Sequence, residues 1–125
     1  LFPYTTLFRS PAMAEDLSPE CTVQELAERR ERGDGPVVLD VRTPHELEIA
    51  SIDGVRHIPI QEIPERLSEL EGSRDEEIIV MCHHGMRSAR VQGFLLQQGF
   101  SKVRNLVGGI HAWSTNIDPS VPEYE

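Results

Sequence analysis

The chain has 125 residues, 38% of them hydrophobic and 26% charged, with a formal net charge of −9, proportions that suit one soluble globular domain with its own core. The acidic balance argues against a nucleic-acid partner, whose phosphates need a basic face, and no apolar stretch approaches the roughly 20 residues of a membrane span. Two cysteines, Cys21 and Cys82, make neither a disulfide framework nor a paired-cysteine metal motif. With no export signal ahead of them they read as thiols of a reducing, cytoplasmic compartment.

At the start of the chain, Leu1-Phe2-Pro3-Tyr4-Thr5-Thr6-Leu7-Phe8-Arg9-Ser10 has no basic n-region and is interrupted by Pro3, so it is not a signal peptide. It resembles the translation of a common short-read sequencing adapter. Residues 1–12 are therefore expected to be a non-native or disordered segment, and 13–125 the domain. Either Met13 is the native start or the domain is the tail of a longer protein.

Thr22-Val23-Gln24-Glu25 is a capping box and Gly33 a stop signal, which predicts a helix from Val23 to Arg32. The β-branched run Val37-Val38-Leu39-Asp40-Val41 predicts a buried parallel strand. Thr43-Pro44-His45-Glu46 is a second capping box with proline at the first helical position, so a short helix follows to Ile49. Val55–Ile58 is a brief strand ended by Pro59, and the spacing of Ile60, Ile63, Leu67 and Leu70 predicts a helix over Ile63–Leu70. A strand over Glu77–Met81, a helix over Ser88–Gln98 and a strand over Lys102–Leu106 come next.

Gly108-Gly109 reads as the entry to a last helix, since no dinucleotide fingerprint accompanies it. Trp113 on that helix reads as core, and the tail after Ile117 as an extended wrap or a loose end. Strands alternating with helices predict an α/β fold with a parallel sheet covered on both faces, and ligands outside the C-terminal strand ends.

Cys82 sits at such an end. It closes the run Ile78-Ile79-Val80-Met81 and opens Cys82-His83-His84-Gly85-Met86-Arg87-Ser88, just ahead of a predicted helix. A tight loop before a helix N-terminus aims N–H groups and a positive dipole end at the sulfur, which favours thiolate and binds anions. Residues 78–117 hold no Asp or Glu but contain Arg87, Arg90, Lys102 and Arg104, so cationic surroundings are expected. Gly85 lets the loop turn, the N–H groups of residues 83–87 line a cup, Ser88 caps the helix, and Arg87 with His83 and His84 adds donors. Such a cup suits a small sulfur-containing anion.

Other chemistries fit less well. A cysteine-dependent phosphatase wants arginine six residues after the cysteine; here Arg87 comes five after and Ser88 six, so phosphate should be held poorly. Zinc on Cys82, His83 and His84 is not expected, because successive residues do not readily converge on one tetrahedral ion. No metal and no organic cofactor is expected. A protease-like pairing of Cys82 with His57 or His111 lacks triad context. The plain alternative, a buried strand-end cysteine, is disfavoured by Gly85, Arg87 and the missing carboxylates.

From about Thr22 to Tyr124 the chain resembles a single rhodanese domain. The resemblance rests on Leu39-Asp40-Val41-Arg42, Glu46-Leu47-Glu48, Ile52-Asp53-Gly54-Val55 leading to His57-Ile58-Pro59, the Cys82 loop, Gly99-Phe100, and Val107-Gly108-Gly109-Ile110 with Ala112-Trp113. It implies a rhodanese-like α/β fold, with a five-stranded, mostly parallel sheet and helices on both faces. The six-residue loop Cys82–Arg87 matches the sulfur-transferring branch of the family.

The implied activity moves a sulfane sulfur from thiosulfate or a persulfide donor, through a Cys82 persulfide, to cyanide in the test tube or to a thiol or sulfur-carrier protein in cells. It implies that the loop residues His83, His84, Gly85, Met86, Arg87 and Ser88 bind substrate. Asp40 and Arg42 match a structural strand-end pair. Ala50-Ser51 stands where many relatives have Gly-His, which removes a helper histidine, and Val55 replaces the usual Ala. A resolving role for Cys21 is disfavoured. Two alternatives stay open: a non-catalytic binding or regulatory module, and the C-terminal part of a larger sulfur-carrier-activating enzyme.

Overall fold

Short Val- and Ile-rich runs build the sheet, because β-branched side chains pack well on a pleated surface buried on both sides. A computed structural model describes residues 17–125; the segment expected to be non-native, with Met13, lies outside the described residues. The strands are β1 (Glu20–Cys21), β2 (Val37–Asp40), β3 (Arg56–His57), β4 (Glu77–Met81) and β5 (Lys102–Leu106). Their order is β1-β5-β4-β2-β3, and every pairing among them is parallel. The helices are α1 (Val23–Glu31), α2 (Pro44–Ile49), α3 (Met86–Gln97) and α4 (Gly109–Asn116).

Alternation along each strand sends side chains to two separate cores. On one face Val38, Ile79, Met81 and Leu106 pack with Val23 and Leu26 of α1 and Ile110 and Trp113 of α4. On the other, Leu39, Ile78, Val80, Cys82 and Val103 pack with Val91 and Leu95 of α3 and with Ile63 and Leu70. The layered fold is the one anticipated. Both predicted capping boxes precede helices: Thr22 accepts from the Glu25 N–H, and Thr43 and Glu46 cap reciprocally. The tail wraps, with Val121 buried on the α4 side and Ser114 donating to its carbonyl.

Three elements differ from expectation, the first being β1 (Glu20–Cys21), a two-residue strand beside β5 that the sequence did not signal. The helix predicted over Ile63–Leu70 is a pair of three-residue-per-turn helices, Ile60–Glu62 and Leu67–Ser73. Pro64 lacks the N–H that a continuous ladder needs, and Ile60/Ile63 and Leu67/Leu70 are each three apart, which the tighter turn brings to one face. The spacing therefore marked burial correctly and helix type wrongly. Helix α3 begins at Met86, two residues before Ser88, with consequences for the site below.

The sheet is tied at the N-terminal ends of β4 and β5 by ions. Arg104, 4% exposed, donates to Glu25 at 2.6 Å and to Glu77 at 2.8 Å, while Arg29 grips Glu77 through two bonds of 2.7 and 2.8 Å. Burial pushes the Glu77 carboxyl up, but its hydrogen bonds from Arg29 and Arg104 outweigh this and hold it below the usual carboxylate range. A depressed carboxyl contributes stability that is present above the unfolded value and lost as pH falls through the folded one. Urea unfolding should therefore show stability falling as pH drops below the ordinary carboxylate value of 4.5. Glu77→Gln should cost about 3 kcal/mol at neutral pH and flatten that dependence. An unchanged profile in the variant would remove Glu77 from the account.

Candidate active site

Parallel register places the site. Asp40 pairs with Met81, and Val41 N–H donates to the Met81 carbonyl at 3.0 Å, so the chain leaves β2 and β4 side by side at the C-terminal edge. Strand β4 is central, and Cys82 follows it directly. The next turn depends on Gly85, at φ 112°, where side-chain-bearing residues are strained; an added Cβ there would meet only ordinary contacts, so conformation rather than space demands glycine.

This turn folds the loop back over its own sulfur. Cys82 Sγ accepts from the Gly85 N–H at 3.0 Å, the Ser88 N–H at 3.4 Å and the Ser88 hydroxyl at 3.3 Å. Burial pushes the Cys82 thiol up, but hydrogen bonds from the Ser88 hydroxyl and from the N–H groups of Ser88, Gly85 and His84 prevail, and the net shift is downward. Dipoles of the loop, rather than neighbouring cations, favour the thiolate.

Ser88 does not cap α3. Gly85 holds that position with no side-chain cap bond, and Ser88, lying inside the helix, points at the sulfur. Its Oγ is also 2.5 Å from Asn105 Oδ1, and Asn105 Nδ2 donates to the Gly85 carbonyl at 3.1 Å. One hydroxyl proton serves one acceptor at a time. Against a thiol, the Ser88 proton belongs on Asn105; against a thiolate it turns to Sγ. Asn105 escaped the sequence reading, although a polar residue near the C-terminal end of a buried strand is the signal that marks it.

The cationic surroundings also need correction. The 78–117 run is free of carboxylates, but partners arrive from elsewhere in the fold. Arg87 binds Glu46 of α2 through two bonds, 2.7 and 2.8 Å, and Arg104 is consumed by Glu25 and Glu77 far from the loop. The Arg87 bond is the main force holding the Glu46 carboxyl well below the usual range. Glu46 further accepts from the Tyr124 hydroxyl at 2.7 Å.

Behind this lies the Asp40–Arg42 pair, both fully buried. Arg42 donates to Asp40 through Nε at 3.0 Å and Nη2 at 2.7 Å, to the Ala50 carbonyl at 2.8 Å and to Tyr124 at 3.0 Å. The pair links the end of β2 to α2 and the tail, a geometry in which each buried charge has its counterpart.

The remaining candidates separate cleanly. A cleft of about 210 Å³ above the sulfur is lined by Cys82, His83, His84, Met86 and Arg87; Met86 stands on its rim, 77% exposed. A larger cleft of about 420 Å³ lies between α2, the α2–β3 connection and the tail, and includes none of the loop. His57 is held by the Arg42 carbonyl at 2.7 Å. His111 turns instead toward His83 and His84. His83 stacks on Tyr124, ring centroids 3.9 Å apart, and burial lowers its pKa. Cys21 packs in the core on the opposite face from Cys82, and burial raises its thiol to about 11, which suits a packing residue and not a resolving thiol.

Comparison with known proteins matches residues 22–116 to the rhodanese-like domain. A sulfurtransferase from Allochromatium vinosum is 33% identical over 87% of this chain and 96% of its own length. The adenylyltransferase and sulfurtransferase MOCS3-2 of Zea mays is 32% identical over 98% of this chain, which spans only 28% of that protein. Among solved structures, a rhodanese-related protein from Thermoplasma volcanium superposes with a TM-score of 0.67 at 37% identity, over 82% of this chain and 94% of that one.

The loop is held from behind by α4. Ile110 N–H donates to the Cys82 carbonyl at 2.9 Å and His111 N–H to that of His83 at 3.1 Å. A Cβ on Gly109 (φ 60°) would overlap both carbonyl groups. Gly109→Ala should therefore cost about 2–4 kcal/mol in urea unfolding and displace the loop. A stability within error of the parent would contradict the clamp.

Proposed function

The chain belongs to the rhodanese-like domain family, and on that premise we propose that it is a sulfurtransferase that carries sulfane sulfur on Cys82. The observation that supports this most is the convergence of the Gly85 N–H, the Ser88 N–H and the Ser88 hydroxyl on one buried sulfur. The same donors that stabilise a thiolate stabilise the terminal anion of a persulfide built on it.

The reaction has two displacements. The Cys82 thiolate attacks the outer sulfur of thiosulfate; a new S–S bond forms, the old one breaks, and sulfite leaves with the bonding electrons. The terminal sulfur of the Cys82 persulfide is then taken by a nucleophile, which regenerates the thiolate. Cyanide serves as acceptor in the test tube and gives thiocyanate. In cells the acceptor is a thiol or a sulfur-carrier protein.

The small cleft admits a thiosulfate-sized donor. The first N–H groups of α3 have no acceptor within the helix and face an anion readily. Arg87 lines the cleft while its guanidinium rests on Glu46, so its role is to hold the donor with a charge that Glu46 partly offsets. Met86 on the rim offers an apolar contact to a protein acceptor. Asp40 and Arg42 act as scaffold.

Steady-state thiosulfate–cyanide assays test the reading. Cys82→Ser should form no thiocyanate above background with an unchanged circular dichroism spectrum; turnover retained in that variant would remove the mechanism. Arg87→Ala should raise the KM for thiosulfate about tenfold, corresponding to about 1.5 kcal/mol, the low end for a charge-assisted bond because of the Glu46 partner. An unchanged KM would take Arg87 out of the donor site.

A further inference from the structure

His83 and His84 line the cleft and His111 lies beside them, and the two displacement steps use none of the three rings. His83 and His84 come from the cysteine loop and His111 from the first turn of α4, brought together because the His111 N–H is bonded to the His83 carbonyl. Although His83 and His84 are successive residues, which were not expected to converge on one ion, one ring nitrogen from each of the three lies within 4.8 Å of the other two. Two buried ring nitrogens in this group, His83 Nε2 and His111 Nδ1, have no hydrogen-bond partner among the described residues. His83 is only 9% exposed, so its orphan nitrogen is shielded from water as well. Buried polar atoms are rarely left in that state without a reason.

We propose that His83, His84 and His111 form a binding site for a divalent late first-row cation, with Zn2+ as its representative. Neutral imidazoles are the ligands such ions favour. Bonds of about 2.0–2.1 Å to a tetrahedral ion set ligand nitrogens about 3.3 Å apart, so the rings need to close by at most about 1.5 Å. Two of the three residues carry a buried ring nitrogen with no other partner among the described residues, which leaves ligand capacity unused in the cluster. Three histidines leave the fourth position of a tetrahedral ion to water or another ligand. The cluster is separate from the sulfur cradle, since Sγ is taken up by Gly85 and Ser88.

Titration of the intact chain with Zn2+ alone, followed by calorimetry, tests this in parallel with Cys82→Ser, His84→Gln and His111→Gln. Co2+ absorption spectra of the same proteins identify the ligand atoms. Saturable binding of one ion is expected in the parent and in Cys82→Ser, with Co2+ bands of nitrogen ligation and no sulfur-to-metal charge transfer. His84→Gln and His111→Gln should each weaken binding by at least about tenfold, in line with the sensitivity of metal sites to their ligand shells. His84 is exposed, so its variant keeps the test valid should His111→Gln fail to fold. Binding lost in Cys82→Ser but kept in both histidine variants, or no saturable binding in the parent, would overturn the proposal.

Discussion

The close approach of Gly109 to the cysteine loop is the constraint on which the site depends. Only a residue without a Cβ, in the left-handed region, lets α4 begin against the carbonyls of Cys82 and His83. Those carbonyls are then bonded by the Ile110 and His111 N–H groups, which leaves the loop N–H groups free to turn inward. Gly85 completes the turn, and the donors meet at Sγ. The positions of Cys82 Sγ and of the His111 ring follow from this one contact.

Hydrogen bonds, more than ions, govern the sulfur. A buried thiolate is costly, and burial alone would push Cys82 up; the loop dipoles and the Ser88 hydroxyl reverse that. The arginines do other work. Arg42 and Arg104 are buried and matched by carboxylates, and Arg87 is held at the cleft by Glu46. Because Glu46 also binds Tyr124, which stacks on His83, the tail is coupled to both Arg87 and the loop.

Much of this was legible in the sequence, for identifiable reasons. Local signals located most elements: Thr22 and Thr43 at helix N-caps, and the β-branched runs at Val37 and Ile78. Order along the chain implied the layered sheet, and a lone cysteine between a strand and a helix indicated the sulfur on which the loop donors converge. What escaped were contacts between residues distant in sequence. Glu46 read as a helix cap and proved also to be the Arg87 partner, 41 residues away. Ser88 read as a cap because it stood at the predicted helix start; beginning two residues earlier, α3 turns its hydroxyl onto the sulfur. Asn105, Tyr124 and the third histidine of the rim cluster needed the folded chain. The three-residue turns around Pro64 show the limit of periodicity, which reports burial more faithfully than backbone type.

The central claim is that the sulfur cradled by the loop is the atom that carries the cargo. Intact mass spectrometry of the reduced protein, before and after thiosulfate and again after cyanide, tests it most directly. The account predicts the gain of one sulfur atom, localised by peptide mapping to Cys82 and removed by cyanide, with Cys21 unmodified. A folded protein that takes up no sulfur from thiosulfate, or takes it up at Cys21, would contradict it.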